Sequence, residues 1–358
     1  MRVVVVGAGI NGLCTAWQLA RAPNRPDVVL VDRFPAGHGR GSSHGDERII
    51  RSGYAAAEWV ERMQRAQSEL WPALEADLGR RLIHPTPALF WGPESGPIAD
   101  YADAARTCGV RVEEIDVTTA RLRFPHMTFA GAERVLHDHT AGVIGAAQTV
   151  SGLEAWLADR GVERIVATVT HLERDGEGVR LHFAAGEPVR ADSVVLAAGP
   201  WVSELVPALA STLIVTRQDV GFWEMDVAVG RTPAWVHLGE AGLDYGLPTL
   251  SGGAMKAAFH RKVASMEPDR DDPNLVRAAD VVALDAMQSR LKEWFTPGPG
   301  PRLRSDTCFY TNAPDDEFVI APALDLPGVL VVSACSGHAF KLGPLSGEAA
   351  ARWAIERG

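Results

Sequence analysis

The chain has 358 residues, 46% hydrophobic and 22% charged, a globular composition long enough for two lobes. Its formal net charge of −10, with acids and bases interspersed, excludes the basic face that a phosphate backbone demands, so no nucleic-acid partner is expected. The four cysteines (Cys14, Cys108, Cys308, Cys335) show no CxxC or metal-ligand spacing, so neither a disulfide framework nor a metal site is expected, and a reducing cytoplasm fits.

The N-terminal "MRVVVVGAGINGLCTAW" is interrupted by Gly and Asn and is not expected to be a signal peptide; no run reaches the ~20 apolar residues of a membrane span. "RVVVVGAG", a helix from about Ile10 to Ala22, and "DVVLVD" ending at Asp32 make a βαβ opening. Ala57 to Leu78 carries Val60, Met63, Leu70 and Leu74 at helical spacing, whereas "ALFWGP" and "ERVLHDH" read as strands of a different layer. "QTVSGLEAWLADRG" is a helix stopped by Gly161, followed by the strands "RIVATVTHLE", "GVRLHF" and "SVVLAAG". Leu213 to His260 is mostly strand, Asn274 to Trp294 an amphipathic helix, and "FTPGPGP" a surface loop. The chain ends in a strand ("GVLVVSA"), a Gly-rich turn ("CSGHAFKLG") and a helix carrying Leu345, Ala349 and Trp353. The expected fold is α/β, with a discontinuous Rossmann-like dinucleotide-binding domain (1–80, 144–212, 313–358) and a β-rich second domain (81–143, 213–312).

The first motif with chemistry is Gly7-x-Gly9-x-x-Gly12 between strand and helix, with Asp32 at the end of the next strand. Gly7 permits the tight turn, Gly9 lets backbone approach a pyrophosphate, Gly12 allows close packing, and Asp32 can accept bonds from a ribose. Two further positions stand out. Cys308 lies in the strand-like "SDTCFYTNAPDDEF", where a lone cysteine is ordinarily a small buried hydrophobe. Lys256 lies in "GGAMKAAFH", where alternation puts Lys256, Ala258 and His260 on one face; of 35 cationic residues only Lys256, Lys262, Lys292 and Lys341 are lysines. A solvated surface lysine is the plain alternative.

"SVVLAAGPW" at 193–201, with Gly199 and Trp201, resembles the second dinucleotide-proximal strand of glutathione-reductase-type flavoproteins, which favours FAD over NAD. "GSSHGDERIIR" (41–51), "YGLP" (245–248), "MKAAFH" (255–260), "CFYTNAPDDEF" (308–318) and "SGHAFK" (336–341) then resemble, in order, monomeric sarcosine oxidase and its relatives, the FAD-dependent amine oxidases of the D-amino-acid-oxidase superfamily. The resemblance covers nearly the whole chain. It implies FAD held by Gly7, Gly9, Gly12, Asp32, Ser42, Ser43, Arg48, Val169, Gly199, Trp201, Gly337, His338 and Lys341, and bonded through a thioether from Cys308 to the flavin 8-methyl group. It also implies that Lys256 activates O2 near flavin C4a and N5 through a water, and that Arg51 and Lys341 hold a substrate carboxylate.

Arg48, one helical turn from Arg51 if that segment is helical, would sit against the flavin; an ion pair with Asp46 or Glu47 is the alternative. Tyr245, Tyr310, His260 and His338 match positions around substrate and ring, and packing roles remain open for each. The N-terminus of the last helix could stabilise negative charge on the flavin.

The implied activity is oxidation of a secondary (N-methyl or cyclic) amino acid to an imine by hydride transfer to flavin, with O2 reduced to hydrogen peroxide, by a monomer without membrane or nucleic-acid partners. Alternatives are a cyclic imino acid such as pipecolate, a sugar-derived amine, or a non-catalytic flavin-binding protein. The sequence departs from the family where Tyr54 is followed by Ala55, Ala56 and Ala57, and where Leu247 replaces an aromatic residue, so a larger, more apolar pocket is expected.

Overall fold

Two large sheets carry the fold in the computed structural model, which describes residues 1–239, 242–260, 265–266, 268 and 280–357. The first has six strands in the order Val319–Pro322, Val329–Ser333, Ser193–Leu196, Arg2–Val6, Asp27–Asp32, Glu163–Val166. All pair in parallel except Val319–Pro322. Parallel strands are covered on both faces and therefore need unbroken apolar runs, which "VVVV" and "DVVLV" supply. Val3, Val5, Val28 and Leu30 pack under the helices Ile10–Arg21, Ala146–Asp159 and Gly343–Glu356. Val4, Val6, Val29 and Val31 pack against a three-stranded antiparallel sheet, Val169–Asp175, Gly178–Phe183 and Val189–Ala191.

The first and last helices lie so close that a Cβ on Gly347 would meet the Cys14 backbone at 2.5 Å and one on Gly343 would meet Ile10 Cγ1 at 2.5 Å. Cys14 is wholly buried there, and the burial raises its thiol pKa, as befits a small core hydrophobe.

The second sheet has eight strands, in the order Arg302–Asn312, Ile214–Glu224, Ala254–His260, Gly242–Pro248, Ala234–Gly239, Ala88–Gly92, Arg134–Asp138, Val112–Ile115. Strand alternation sorts its two faces. Trp91, Trp223, Trp235 and Met255 pack on one face with Leu284, Met287, Leu291 and Trp294 of the helix Val281–Trp294, whose N-cap Asp280 accepts from the Ala283 N–H at 3.1 Å. The neighbours in register, Phe222, Lys256, Val236, Tyr245 and Leu247, project to the other face. Residues 274–279 of the helix expected from Asn274 lie outside the described residues.

Ala57–Leu78 is helical throughout, with a π turn at Ala66–Leu70 just before Pro72, whose missing N–H removes one ladder bond. Arg48, however, is not on a helix. "ERII" forms the strand Glu47–Ile50, paired with Gly142–Gly145, which also pairs with Ile83–Pro85. Two adjacent isoleucines favour a pleated edge over a helical turn, so Arg48 and Arg51 are not stacked as helical neighbours. The helices Ile98–Thr107 and Val117–Arg123 also form, without having been read from sequence.

Candidate active site

A cavity of about 990 Å³ is lined by residues of both large sheets, at the upper end of the roughly 300–1,000 Å³ of small-molecule sites. The glycine motif builds one part of it. Gly7 has φ of +104° and a Cβ there would meet the Ala197 carbonyl oxygen at 2.2 Å. Gly7, Gly9 and Asp32 line the cavity; Gly12 does not, because its role is packing: a Cβ on it would meet Gly7 O at 1.8 Å. The Ile10 N–H donates to Ser43 Oγ at 2.9 Å, which ties the helix start to the "GSSHG" loop. Asp32 accepts from the Ala8 and Phe34 N–H groups at 2.6 and 2.8 Å. Burial pushes its carboxyl up, but the bonds from His38, Ala8 and Phe34 outweigh that and hold it below the ordinary aspartate value. Ser42, Val169, Gly199 and Trp201 line the same cavity.

The second part gathers residues from four strands. Arg48 donates to the carbonyls of Glu47, Ser42 and His44 at 2.9, 3.0 and 2.6 Å, and Asp46 pairs instead with Arg304. The expected alternative of an Arg48 ion pair with Asp46 or Glu47 is therefore not what forms. Lys256, only 5% exposed, donates to the Glu47 carbonyl at 2.8 Å. Burial first, then Arg48, lower its pKa to about 7, while Glu47 opposes them. The plain alternative of a solvated surface lysine does not hold. Cys308 faces Arg48 and Lys256, whose charges favour its thiolate, yet burial outweighs them and the thiol pKa is raised. Tyr310 lies two residues further on the same strand and meets His260 Nδ1 through its hydroxyl at 3.3 Å. Tyr245 pKa rises to about 12, mainly by burial. Gly337 is required where it stands: a Cβ would meet His260 Cε1 at 2.4 Å and Tyr310 Cε2 at 2.5 Å.

The third part is an anion site. Arg51 and Lys341 are 7% and 4% exposed, and among the described residues no acid forms an ion pair with either. The Arg51 guanidinium lies near the rings of Tyr54, Phe90 and Tyr101 and donates to the Gly53 carbonyl. Lys341 donates to the His338 carbonyl at 3.0 Å; burial, then Arg51, push its ammonium pKa well down. His338 Nε2 donates to the Asp316 carbonyl at 3.0 Å, so Nδ1 is the acceptor for the Tyr54 hydroxyl at 3.1 Å. Burial, then Lys341, lower the His338 pKa to about 3, so the ring is neutral. Ala55, Ala56 and Leu247 line the cavity; Ala57 does not and begins a helix. The last helix also differs from expectation. It starts at Gly343, packed on Ile10 and outside the lining, and the segment that meets the cavity is the turn from Ser336 to Lys341.

Sequence reasoning missed Tyr101 and Trp59, and it named Glu47 only as an alternative ion-pair partner of Arg48. Composition held a signal for the first: the chain has four tyrosines, and Tyr54, Tyr101, Tyr245 and Tyr310 all line the cavity. Two His/Glu clusters outside it, Glu113–His137–His139 and His171–Glu173–His182, arise from cross-strand register that sequence spacing does not display. In the first, Arg123 already forks both Glu113 oxygens at 2.6 and 2.9 Å; in the second, His171 and Glu173 are exposed. Among the described residues no helix is long and apolar enough to cross a membrane.

Known proteins resemble this chain in sequence and fold. The chain is 28% identical to the monomeric sarcosine oxidase of Bacillus sp. (strain B-0618), an alignment covering 99% of this chain and 92% of that one. It is 26% identical to the N-methyl-L-tryptophan oxidase of Salmonella arizonae, covering 99% and 95%. Its fold matches the open form of NikD, an unusual amino acid oxidase essential for nikkomycin biosynthesis, with a TM-score of 0.85 and 27% identity over 99% of this chain and 94% of that one. The FAD dependent oxidoreductase family matches residues 2–353, nearly the full length, and the chain belongs to it.

Proposed function

We propose that this chain oxidises the C–N bond of a secondary amino acid, N-methylated or cyclic, to an imine, with O2 reduced to hydrogen peroxide. The observation that carries the reading is the pair of buried cations, Arg51 and Lys341, with no acid paired to either among the described residues, in the cavity that also holds the dinucleotide cradle. Bound FAD supplies hydride acceptance and return of the electrons to O2. Gly7, Gly9, Asp32, Ser42, Ser43, Val169, Gly199, Trp201, Gly337 and His338 would hold it, Gly12 supports the cradle from behind, and Cys308 is the residue that tethers it.

The remaining work belongs to the chain. Arg51 offers a planar fork and Lys341 a point charge to the substrate carboxylate, which relieves their mutual repulsion. Once that carboxylate is bound, the surplus positive charge disfavours an ammonium nearby, so the substrate amine is held neutral with its lone pair available. Tyr54, fixed by neutral His338, lays its ring against both cations, 4.6 Å from the Arg51 guanidinium and 5.3 Å from Lys341 Nζ. Lys256 is aimed by the Glu47 carbonyl and stabilises negative charge developing on oxygen. Loss of one hydride and one amine proton balances the two-electron reduction of O2 to peroxide.

Ala55, Ala56 and Leu247 favour a substrate bulkier than sarcosine, and the name of one relative, N-methyl-L-tryptophan oxidase, points the same way. The division into a dinucleotide part (1–80, 144–212, 313–358) and a substrate part (81–143, 213–312) belongs to this reading. Every strand of the six-stranded sheet falls in the first set and every strand of the eight-stranded sheet in the second. A monomer belongs to the same reading, supported by the name of one relative, a monomeric sarcosine oxidase.

An anaerobic screen of secondary amines and amino acids for flavin bleaching tests the function, with peroxide and formaldehyde measured after oxygen is admitted. Bleaching by N-methyl or cyclic amino acids is expected, with formaldehyde from the former only. No bleaching by any amine would leave a flavin-binding protein without turnover.

A further inference from the structure

Glu47 is 3% exposed and lines the cavity, and its carboxylate has no part in the chemistry above. Its backbone carbonyl accepts from Lys256 Nζ at 2.8 Å, and its Oε1 accepts from the Leu250 N–H at 3.1 Å. Its Oε2 is buried with no hydrogen-bond partner. A half-satisfied buried carboxylate is costly, and its persistence calls for a role.

We propose that Glu47 is the positioning residue for Lys256: its carbonyl fixes the direction of Nζ, and its buried carboxylate, with Oε2 unpartnered, favours the ammonium form of that nitrogen. The proposal rests on the reading of Lys256 as the oxygen-side cation. The groups facing Lys256 from each packed element leave Glu47 as the main support for the charge. Arg48, from the same strand as Glu47, opposes it. Phe222 offers a ring 5.6 Å away, and Leu247 is the apolar cross-strand neighbour. His44, in the preceding loop, is coupled to Lys256 but carries no negative charge. Cys308 is a thiol whose burial favours the neutral form, and the Asp306 carboxylate is paired with Arg304 at 2.8 Å. No ion pair joins Glu47 and Lys256 directly among the described residues, so the coupling acts through space or a bridging water in a low-dielectric setting.

Glu47→Gln tests this, since it keeps the shape and the backbone carbonyl and removes only the charge. Three quantities are followed against pH in the holoenzyme: reoxidation by O2, reduction by substrate, and the Lys256 Nζ signal by 15N NMR, tractable in a chain with four lysines. The alkaline limb of reoxidation is expected to move down by at least about one pH unit, about a tenfold loss on that limb, with reduction within about twofold. The Nζ titration should move by the same amount, and Glu47→Asp should restore part of it. An unchanged Lys256 titration in Glu47→Gln overturns the proposal, as does equal slowing of both half-reactions without a titration shift. Lys256→Met separates the two readings: if reoxidation is unaffected by it, the oxygen-side role of Lys256 falls, while the Nζ titration in Glu47→Gln still decides what Glu47 does.

Discussion

Arg51 holds a buried positive charge that no acid among the described residues pairs with, and its surroundings turn that cost into selectivity. Arg51→Ala should weaken carboxylate-bearing substrates and inhibitors by about 2–5 kcal/mol in competition assays, with little loss for an amine lacking the carboxylate. Lys256→Met should slow reoxidation by O2 far more than reduction by substrate in stopped-flow traces, because charge is needed at the oxygen step. Cys308→Ser should move the yellow colour from the acid-precipitated pellet to the supernatant, and a colourless wild-type pellet would remove the tether. His338 sets a pH dependence. Its pKa is about 3 in the fold against an ordinary 6.5, so between these values the unfolded chain binds a proton that the folded one does not. Stability is full above about pH 6.5 and falls as pH drops toward 3, by up to about 1.4 kcal/mol per unit. His338→Asn should flatten the melting temperature against pH over that range. Lys256 was legible because lysine is rare in this chain; Glu47 was not, because one acid among many carries no mark of burial.

Strand alternation does most of the assembly. Cys308 and Tyr310, Lys256 and His260, Tyr245 and Leu247 each repeat at even spacing, so one face of the eight-stranded sheet delivers all six to the cavity while Trp223, Met255 and Trp235 go to the core. This period was legible in "GGAMKAAFH", whereas "CFYTNAP" was read only as strand-like. What no local pattern could give is the partner of each strand, since Lys256 faces Phe222 on one side and Leu247 on the other by register alone. The segment around Arg48 misled for a related reason: four residues are too few to display a period, and pairing with Gly142–Gly145 decides the outcome. Gly12 gives the prediction at this scale. A Cβ there strikes a backbone oxygen that cannot rotate away, so Gly12→Ala should cost at least about 1–3 kcal/mol in thermal or denaturant unfolding and release the cofactor.

Over the whole molecule, the sheets are built from segments far apart in sequence, so the cavity forms only when both sheets are complete. The opening βαβ unit and its glycine motif made the first sheet legible, whereas the strand order of the second depends on long-range pairing. Substrate choice belongs to this scale because the cavity walls come from both. kcat/KM for N-methylphenylalanine or pipecolate should exceed that for sarcosine by about 10- to 150-fold, the worth of burying one bulky side chain. A tie or a win for sarcosine would mean that Ala55 and Ala56 do not shape the substrate space. The confinement of all four tyrosines to the cavity makes the protein its own spectrometer. Biosynthetic replacement of tyrosine by 3-fluorotyrosine would place every 19F nucleus at the site and none in the tryptophan-rich core, so a four-line fluorine spectrum would report ligand arrival without background from the rest of the chain.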